Sequence, residues 1–229
     1  MTKLVLLPGL DGTGDLFAPF TPALGNVPFQ VIAYPPDRVM SYAELQAYAT
    51  TKLPADEDFV LLAESFSGPV GISIAASRPP RLRGLILSTS FASNPLPLFG
   101  PLAGIIAAMP TGKIPPALTA AWLYAGFATP ELRRAHAAAM ARVSARVINA
   151  RVAAVLEVDD RALLEKIEVP ILYMRAKADR LMPVSAGRDI LERRPDIELV
   201  EIDGPHFLLQ CAPDACAKVV MKFLARCAR

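Results

Sequence analysis

Ala63-Glu64-Ser65-Phe66-Ser67-Gly68 lies between the apolar run Phe59-Val60-Leu61-Leu62 and the small-residue stretch Val70-Gly71-Ile72-Ser73-Ile74-Ala75-Ala76. The three segments read as a strand, a sharp turn and a helix, with Ser65 at the apex of the turn. A hydroxyl becomes a useful nucleophile when it is exposed at the end of a sheet, near a base and near the backbone N–H groups of a helix N-terminus. The segment departs from the Gly-x-Ser-x-Gly pattern of a nucleophile elbow, because Ala63 and Ser67 stand at the two glycine positions. Such a turn brings strand and helix backbones close together, and alanine and serine are the next smallest residues. Taken alone, the segment also fits a serine in an ordinary strand-to-helix turn.

On either side of this turn, short β-branched or leucine-rich runs alternate with helical stretches. That is the pattern of an α/β fold, a mostly parallel sheet with helices on both faces. Strands are predicted at Leu4–Leu7, Gln30–Ala33, Phe59–Leu62, Gly84–Leu87, Ile171–Met174 and Glu198–Ile202, a sheet of about six strands. Helices are predicted at Ser41–Lys52, with Ser41 as N-cap, and at Ser67–Ser77, Val184–Arg193 and Asp214–Arg226. The last follows Pro213 and carries Val219, Val220, Phe223 and Leu224 at helical spacing.

One segment breaks the alternation. Between about Phe91 and Val169 no strand is predicted; a Pro-rich apolar stretch, Asn94-Pro95-Leu96-Pro97-Leu98-Phe99-Gly100-Pro101, is followed by alanine-rich helical sequence through Leu164. An insertion of this length between two strands suggests a helical cap over one end of the sheet. Residues 1–90 and 170–229 then form the core and 91–169 the cap. The cap's apolar residues include Leu98, Phe99, Leu102, Ile105, Ile106, Met109, Trp122, Leu123, Tyr124 and Phe127, which either line a substrate pocket or pack within the cap. Leu98, Phe99, Trp122 and Phe127 are the candidates for substrate contact.

The remaining chemistry lies after the last two strands. Arg175-Ala176-Lys177-Ala178-Asp179 places Asp179 in the loop beyond Ile171–Met174, and Asp203-Gly204-Pro205-His206 places His206 just past Glu198–Ile202. In an open parallel sheet these loops share the carboxyl edge with the Ser65 turn. Ser65, Asp179 and His206 are therefore candidates for nucleophile, orienting acid and base, with His206 taking the Ser65 proton and Asp179 fixing its tautomer. His136 is the competing histidine, read as facing solvent from a cap helix over Glu131–Val155. Asp203 is the rival acid, read as a turn former beside Gly204. The loop Ser88-Thr89-Ser90-Phe91-Ala92-Ser93-Asn94 offers no carboxylate.

Bulk composition sets limits. With 229 residues, 53% hydrophobic and 20% charged, the chain can bury one large core. A net charge of +2 with both signs interspersed gives no basic field for nucleic acid. The opening apolar run Leu4-Val5-Leu6-Leu7 is too short for a signal peptide or a stable membrane insertion, so a cytoplasmic protein is expected. Cys211, Cys216 and Cys227 fit reduced thiols, and the two histidines form no Cys/His cluster for a metal.

Taken together, these motifs resemble the α/β-hydrolase superfamily over nearly the whole chain. Leu6-Leu7-Pro8-Gly9-Leu10-Asp11-Gly12-Thr13-Gly14 is similar to the family's first-strand loop, with Pro8 where histidine is frequent. The resemblance implies an oxyanion hole formed by the N–H groups of Leu10 and Phe66. It also implies a Ser65–His206–Asp179 triad in the family's chain order, and a compact sheet lacking the family's first two strands. Asp11 is read as orienting its own loop, and Glu64 as anchoring the elbow through a hydrogen bond. The glycines of this loop lack the spacing of a phosphate-binding motif. Arg133, Arg134, Arg142, Arg146 and Arg151 either bind an anionic substrate or form a solvated helix face, and their spacing opposite Val143 and Val147 favours the second.

The resulting expectation is a serine hydrolase acting on a small, hydrophobic carboxylic ester or thioester through an acyl-enzyme, with no cofactor. A small-ligand-binding protein with a closing cap is the alternative on the same fold.

Overall fold

The computed structural model describes residues 2–102, 104, 105 and 122–228. Ile106 and Met109 of the expected pocket lining, and the side chains of Phe99 and Leu102, lie outside the described residues. Six strands form one parallel sheet: β1 Lys3–Leu7, β2 Phe29–Val31, β3 Phe59–Glu64, β4 Leu82–Ser88, β5 Ile171–Ala176 and β6 Glu198–Ile202. Their order is β2-β1-β3-β4-β5-β6, so the chain winds outward from β1 in both directions. The second strand is displaced from the predicted Gln30–Ala33 by about one residue at its start.

The period of two along each strand divides the core into two layers. Val5, Leu7, Leu61, Ala63, Leu85, Leu87, Ile171 and Tyr173 face one side, where α1 (Tyr42–Thr50) contributes Leu45 and α2 (Gly68–Ala76) contributes Val70 and Ile74. Leu4, Leu6, Val60, Leu62, Ile86, Leu172 and Met174 face the other, against Phe17, Phe20 and Leu24. With every residue of β3 buried, this strand is the centre of the sandwich. Each such leucine contributes about 2 kcal/mol through burial. Ser41 caps α1 as predicted: its hydroxyl accepts from the Glu44 N–H while the Glu44 carboxylate accepts from the Ser41 N–H, a capping box.

Between β4 and β5 the chain makes α3 (Pro130–Ala141), α4 (Ala145–Glu157) and α5 (Arg161–Leu164). The predicted single helix over Glu131–Val155 is thus two helices. Its break is at Arg142-Val143-Ser144, where Ser144 takes extended dihedrals and caps α4 by accepting from the Val147 N–H. The segment leaves and re-enters the core through one neck, closed by the Asn94 N–H to Val158 carbonyl bond and the Asp160 N–H to Ala92 carbonyl bond. After β5 follow α6 (Val184–Arg193), then β6, α7 (Leu208–Cys211) and α8 (Pro213–Cys227), which packs Val220, Phe223 and Leu224 under the second face. Among the described residues no helix is long and apolar enough to cross a membrane.

Candidate active site

Strand β3 ends at Glu64, and the chain passes directly into a tight 3-10 turn, Ser65–Ser67, that feeds α2. Ser65 sits there at φ +47°, a conformation that costs a non-glycine residue about 1–3 kcal/mol and survives only when its surroundings enforce it. The surroundings are specific. The Ser90 hydroxyl donates to the Ser65 carbonyl at 2.6 Å, the Tyr42 hydroxyl donates to the Phe66 carbonyl at 3.1 Å, and Tyr173 holds Ser90 through its carbonyl at 3.1 Å. The Ser67 hydroxyl donates to the Pro8 carbonyl and accepts from Tyr34 at 2.7 Å. A serine in place of the usual glycine therefore ties the elbow to the loop after β1. The close approach expected there is real: a Cβ added at Gly71 would lie 2.7 Å from the Ala63 Cβ.

Asp179 and His206 come to this apex from the loops beyond β5 and β6. The Ser65 Oγ lies 2.8 Å from His206 Nε2, and His206 Nδ1 lies 2.9 Å from Asp179 Oδ2. An ionised carboxylate can only accept, so Nδ1 carries the proton and Nε2 is left to accept from the serine. Asp179 is itself fixed, because its Oδ1 accepts from the Leu181 and Met182 N–H groups, both at 2.9 Å. The side chains of His206 and Asp179 are 4% and 5% exposed, so their hydrogen bonds operate away from bulk water. The arrangement can move a proton from the serine to the imidazole and stabilise the imidazolium that results.

Other sequence readings meet a mixed outcome. Asp203 holds no turn through its side chain. It is 83% exposed and paired with Lys177 at 3.1 Å. His136 does not face solvent: it is half-buried, 2.6 Å from the Tyr124 hydroxyl and packed edge-on against Phe207. Burial holds its imidazole below the ordinary value. The stacked Tyr124 and Phe207 rings and a Phe207 N–H to Leu123 carbonyl bond join this insertion segment to the residue after His206. Leu98 is 89% exposed and Trp122 and Phe127 are each 49% exposed, at the surface of the insertion rather than in a closed cavity.

Asp11 orients its own loop, as read from the sequence, by accepting from the Thr13 N–H at 2.8 Å and from the Thr13 hydroxyl. Leu10 belongs to that loop, which turns through a Gly12 N–H to Gly9 carbonyl bond. Phe66 stands in the first turn before α2, where amides have no partner within the helix. Glu64 anchors the elbow from within. It is buried, accepts from the Gln210 amide at 2.9 Å, and is pushed up to about 7, first by burial and further by the nearby Asp11. Gln210 Oε1 is buried without a hydrogen-bond partner among the described residues.

Sequence reasoning missed Arg151. It is 3% exposed, not on a solvated face, because it lies four residues after Val147 and three after Ile148 on the buried side of α4. That spacing was the available signal.

No family model matches the chain. It is 27% identical to a protein named putative carbamate hydrolase RutD from Caulobacter sp. (strain K31), over 97% of this chain and 90% of that protein. A putative carbamate hydrolase RutD from Azorhizobium caulinodans is 26% identical over 73% of the chain and 66% of its own length. Among solved structures, a hydrolase from Pseudomonas aeruginosa PA01 superposes with a TM-score of 0.75 at 26% identity, covering 97% of this chain and 89% of that one. The esterase EaEST from Exiguobacterium antarcticum matches at TM-score 0.82 and 14% identity over 98% and 92%, a likeness of fold.

Proposed function

Because the chain has the α/β-hydrolase fold, we propose that it is a serine hydrolase that cleaves a small, neutral acyl compound through an acyl-enzyme intermediate. The observation that carries this reading is the continuous hydrogen-bonded run from Ser65 through His206 to Asp179, with the serine on a strained turn. In the proposed mechanism Ser65 Oγ attacks the carbonyl carbon while His206 Nε2 takes its proton. The N–H groups of Leu10 and Phe66 bind the oxyanion as it forms. The imidazolium then gives the proton to the leaving group, and water repeats the sequence to release the acid. Residues 91–169 act as the cap, and their exposed Leu98, Ile105, Trp122 and Phe127 favour an apolar substrate.

A carboxylic ester is the primary substrate class, with a thioester as the close variant. The carbamate hydrolase names of the two sequence relatives extend the class to carbamates, whose carbonyl is attacked in the same way. Sustained turnover of p-nitrophenyl butyrate is expected, faster than that of the p-nitrophenyl hemisuccinate by about tenfold, because the apolar side chains of the cap offer the second carboxylate no partner. A p-nitrophenyl N-alkylcarbamate in parallel reads the other acyl class. The Ser65→Ala variant should abolish turnover of each. A fold that binds the esters without releasing product, or an active Ser65→Ala variant, would refute the reading and leave a ligand-binding protein.

A further inference from the structure

Arg151 reaches out of α4 into the core, where its contacts include both residues proposed to form the oxyanion hole. Its Nη1 donates to the Leu10 carbonyl at 2.8 Å and to the Asp11 carbonyl at 2.7 Å, and its Nη2 donates to the Pro35 carbonyl at 3.2 Å. The guanidinium lies 5.8 Å from the centre of the Phe66 ring and 5.7 Å from that of Tyr34. One cation thus touches both residues whose amides face the developing charge, Leu10 by hydrogen bond and Phe66 by its ring. Space has been made for it: Gly12 adopts φ +70°, and a Cβ there would come 2.5 Å from Nη1.

A buried cation bonded to carbonyls loses its hydration without a carboxylate bonded to it, an expensive arrangement for mere packing. Burial holds its acidity above that of an ordinary guanidinium, with Tyr34 and Asp11 opposing that shift. Its fork of donors is what a lysine cannot reproduce, since several carbonyls converge on one plane. The helix α4 that carries it belongs to the insertion, not to the sheet.

We infer that Arg151 is a positioning residue through which the insertion assembles the oxyanion hole, holding the Leu10 loop and the Phe66 ring in register for the transition state. This rests on the serine-hydrolase reading above. The hole is then complete only when α4 is docked, so substrate entry that displaces α4 also disarms the catalyst.

The test compares wild type, Arg151→Met and Arg151→Lys with one p-nitrophenyl ester, together with backbone amide exchange. Arg151→Met should lower kcat by about thirtyfold or more with KM changed less than about threefold, because the loss falls on a transition-state interaction. Arg151→Lys should recover part of that loss. Amides of residues 9–14 should exchange at least about tenfold faster in Arg151→Met while those of α8 stay protected. Guanidinium ion added to a folded Arg151→Ala variant should raise kcat where equal sodium chloride does not. Unchanged exchange in residues 9–14, or a kcat within about threefold of wild type in folded Arg151→Met, overturns the inference. Should wild type itself turn over no acyl substrate, the serine-hydrolase reading falls, and the exchange measurement alone decides whether Arg151 holds the loop.

Discussion

Replacing Asp179 with asparagine lowers kcat by roughly a thousandfold or more while the protein stays folded. The reason lies in the donors around the carboxylate. Oδ1 accepts from the Leu181 and Met182 N–H groups, so the oxygen of an asparagine amide is held on that side. Its NH2 group is then turned toward His206 Nδ1, where the carboxylate oxygen now sits 2.9 Å away. An NH2 donor facing Nδ1 forces the proton onto Nε2, and the imidazole can no longer accept from Ser65. The charge that stabilises the imidazolium is lost as well. Asp203→Asn is the control: that side chain is 83% exposed and paired with Lys177, so its kcat should stay within about twofold of wild type. Both variants are compared with one ester after their melting curves are recorded. Near-normal activity in Asp179→Asn with collapse in Asp203→Asn would reverse the assignment of the acid.

Glu64→Gln has the second large effect, on stability instead of rate. In the unfolded chain Glu64 releases its proton at its ordinary value of 4.5, whereas in the fold burial keeps the proton on until about 7. Between those values folding takes up a proton, so the contribution of the neutral carboxyl is fully present below 4.5 and is lost as pH rises through 7. Above that, the buried carboxylate is a standing cost, on the order of 3 kcal/mol for a separation of this size. The groups facing it, Gln210 by hydrogen bond, Asp11 and His206 by charge, act in opposing directions and leave burial dominant. Glutamine keeps the shape and the bond to Gln210 but has no proton to lose. The melting temperature of Glu64→Gln should therefore gain on wild type by about 5–10 °C between pH 5 and pH 8. An offset that is the same at both pH values would show that Glu64 titrates as an exposed carboxylate does.

The sheet was legible because parallel strands buried on both faces leave continuous apolar runs, and six such runs separated by helical stretches admit few arrangements. Chain order alone also placed Ser65, Asp179 and His206 at one sheet edge, where their side chains meet. What escaped the sequence was the set of contacts made across space. Ser67 looked like a small substitute for glycine, yet its hydroxyl bonds the carbonyl of Pro8, 59 residues earlier. His136 found its partner in Tyr124 within the insertion and its packing in Phe207 from the far end of the chain. Arg151 was misplaced for a different reason. It was grouped with Arg133, Arg134, Arg142 and Arg146 as one solvated face, although it lies one helical turn after the buried Val147. Its carbonyl partners, about 140 residues away, have no signature in composition or period.

The serine at the elbow is the claim on which the rest depends, and an alkyl fluorophosphonate reads it directly. An activated Ser65 attacks the phosphorus and expels fluoride, leaving a stable phosphonate ester that peptide mass spectrometry can locate. The expected result is one adduct per chain on the peptide containing Ser65, absent from Ser65→Ala and strongly slowed in Asp179→Asn. Folded protein that takes no label, or takes it at another residue while Ser65 stays unmodified, would contradict the assignment of Ser65 as the nucleophile.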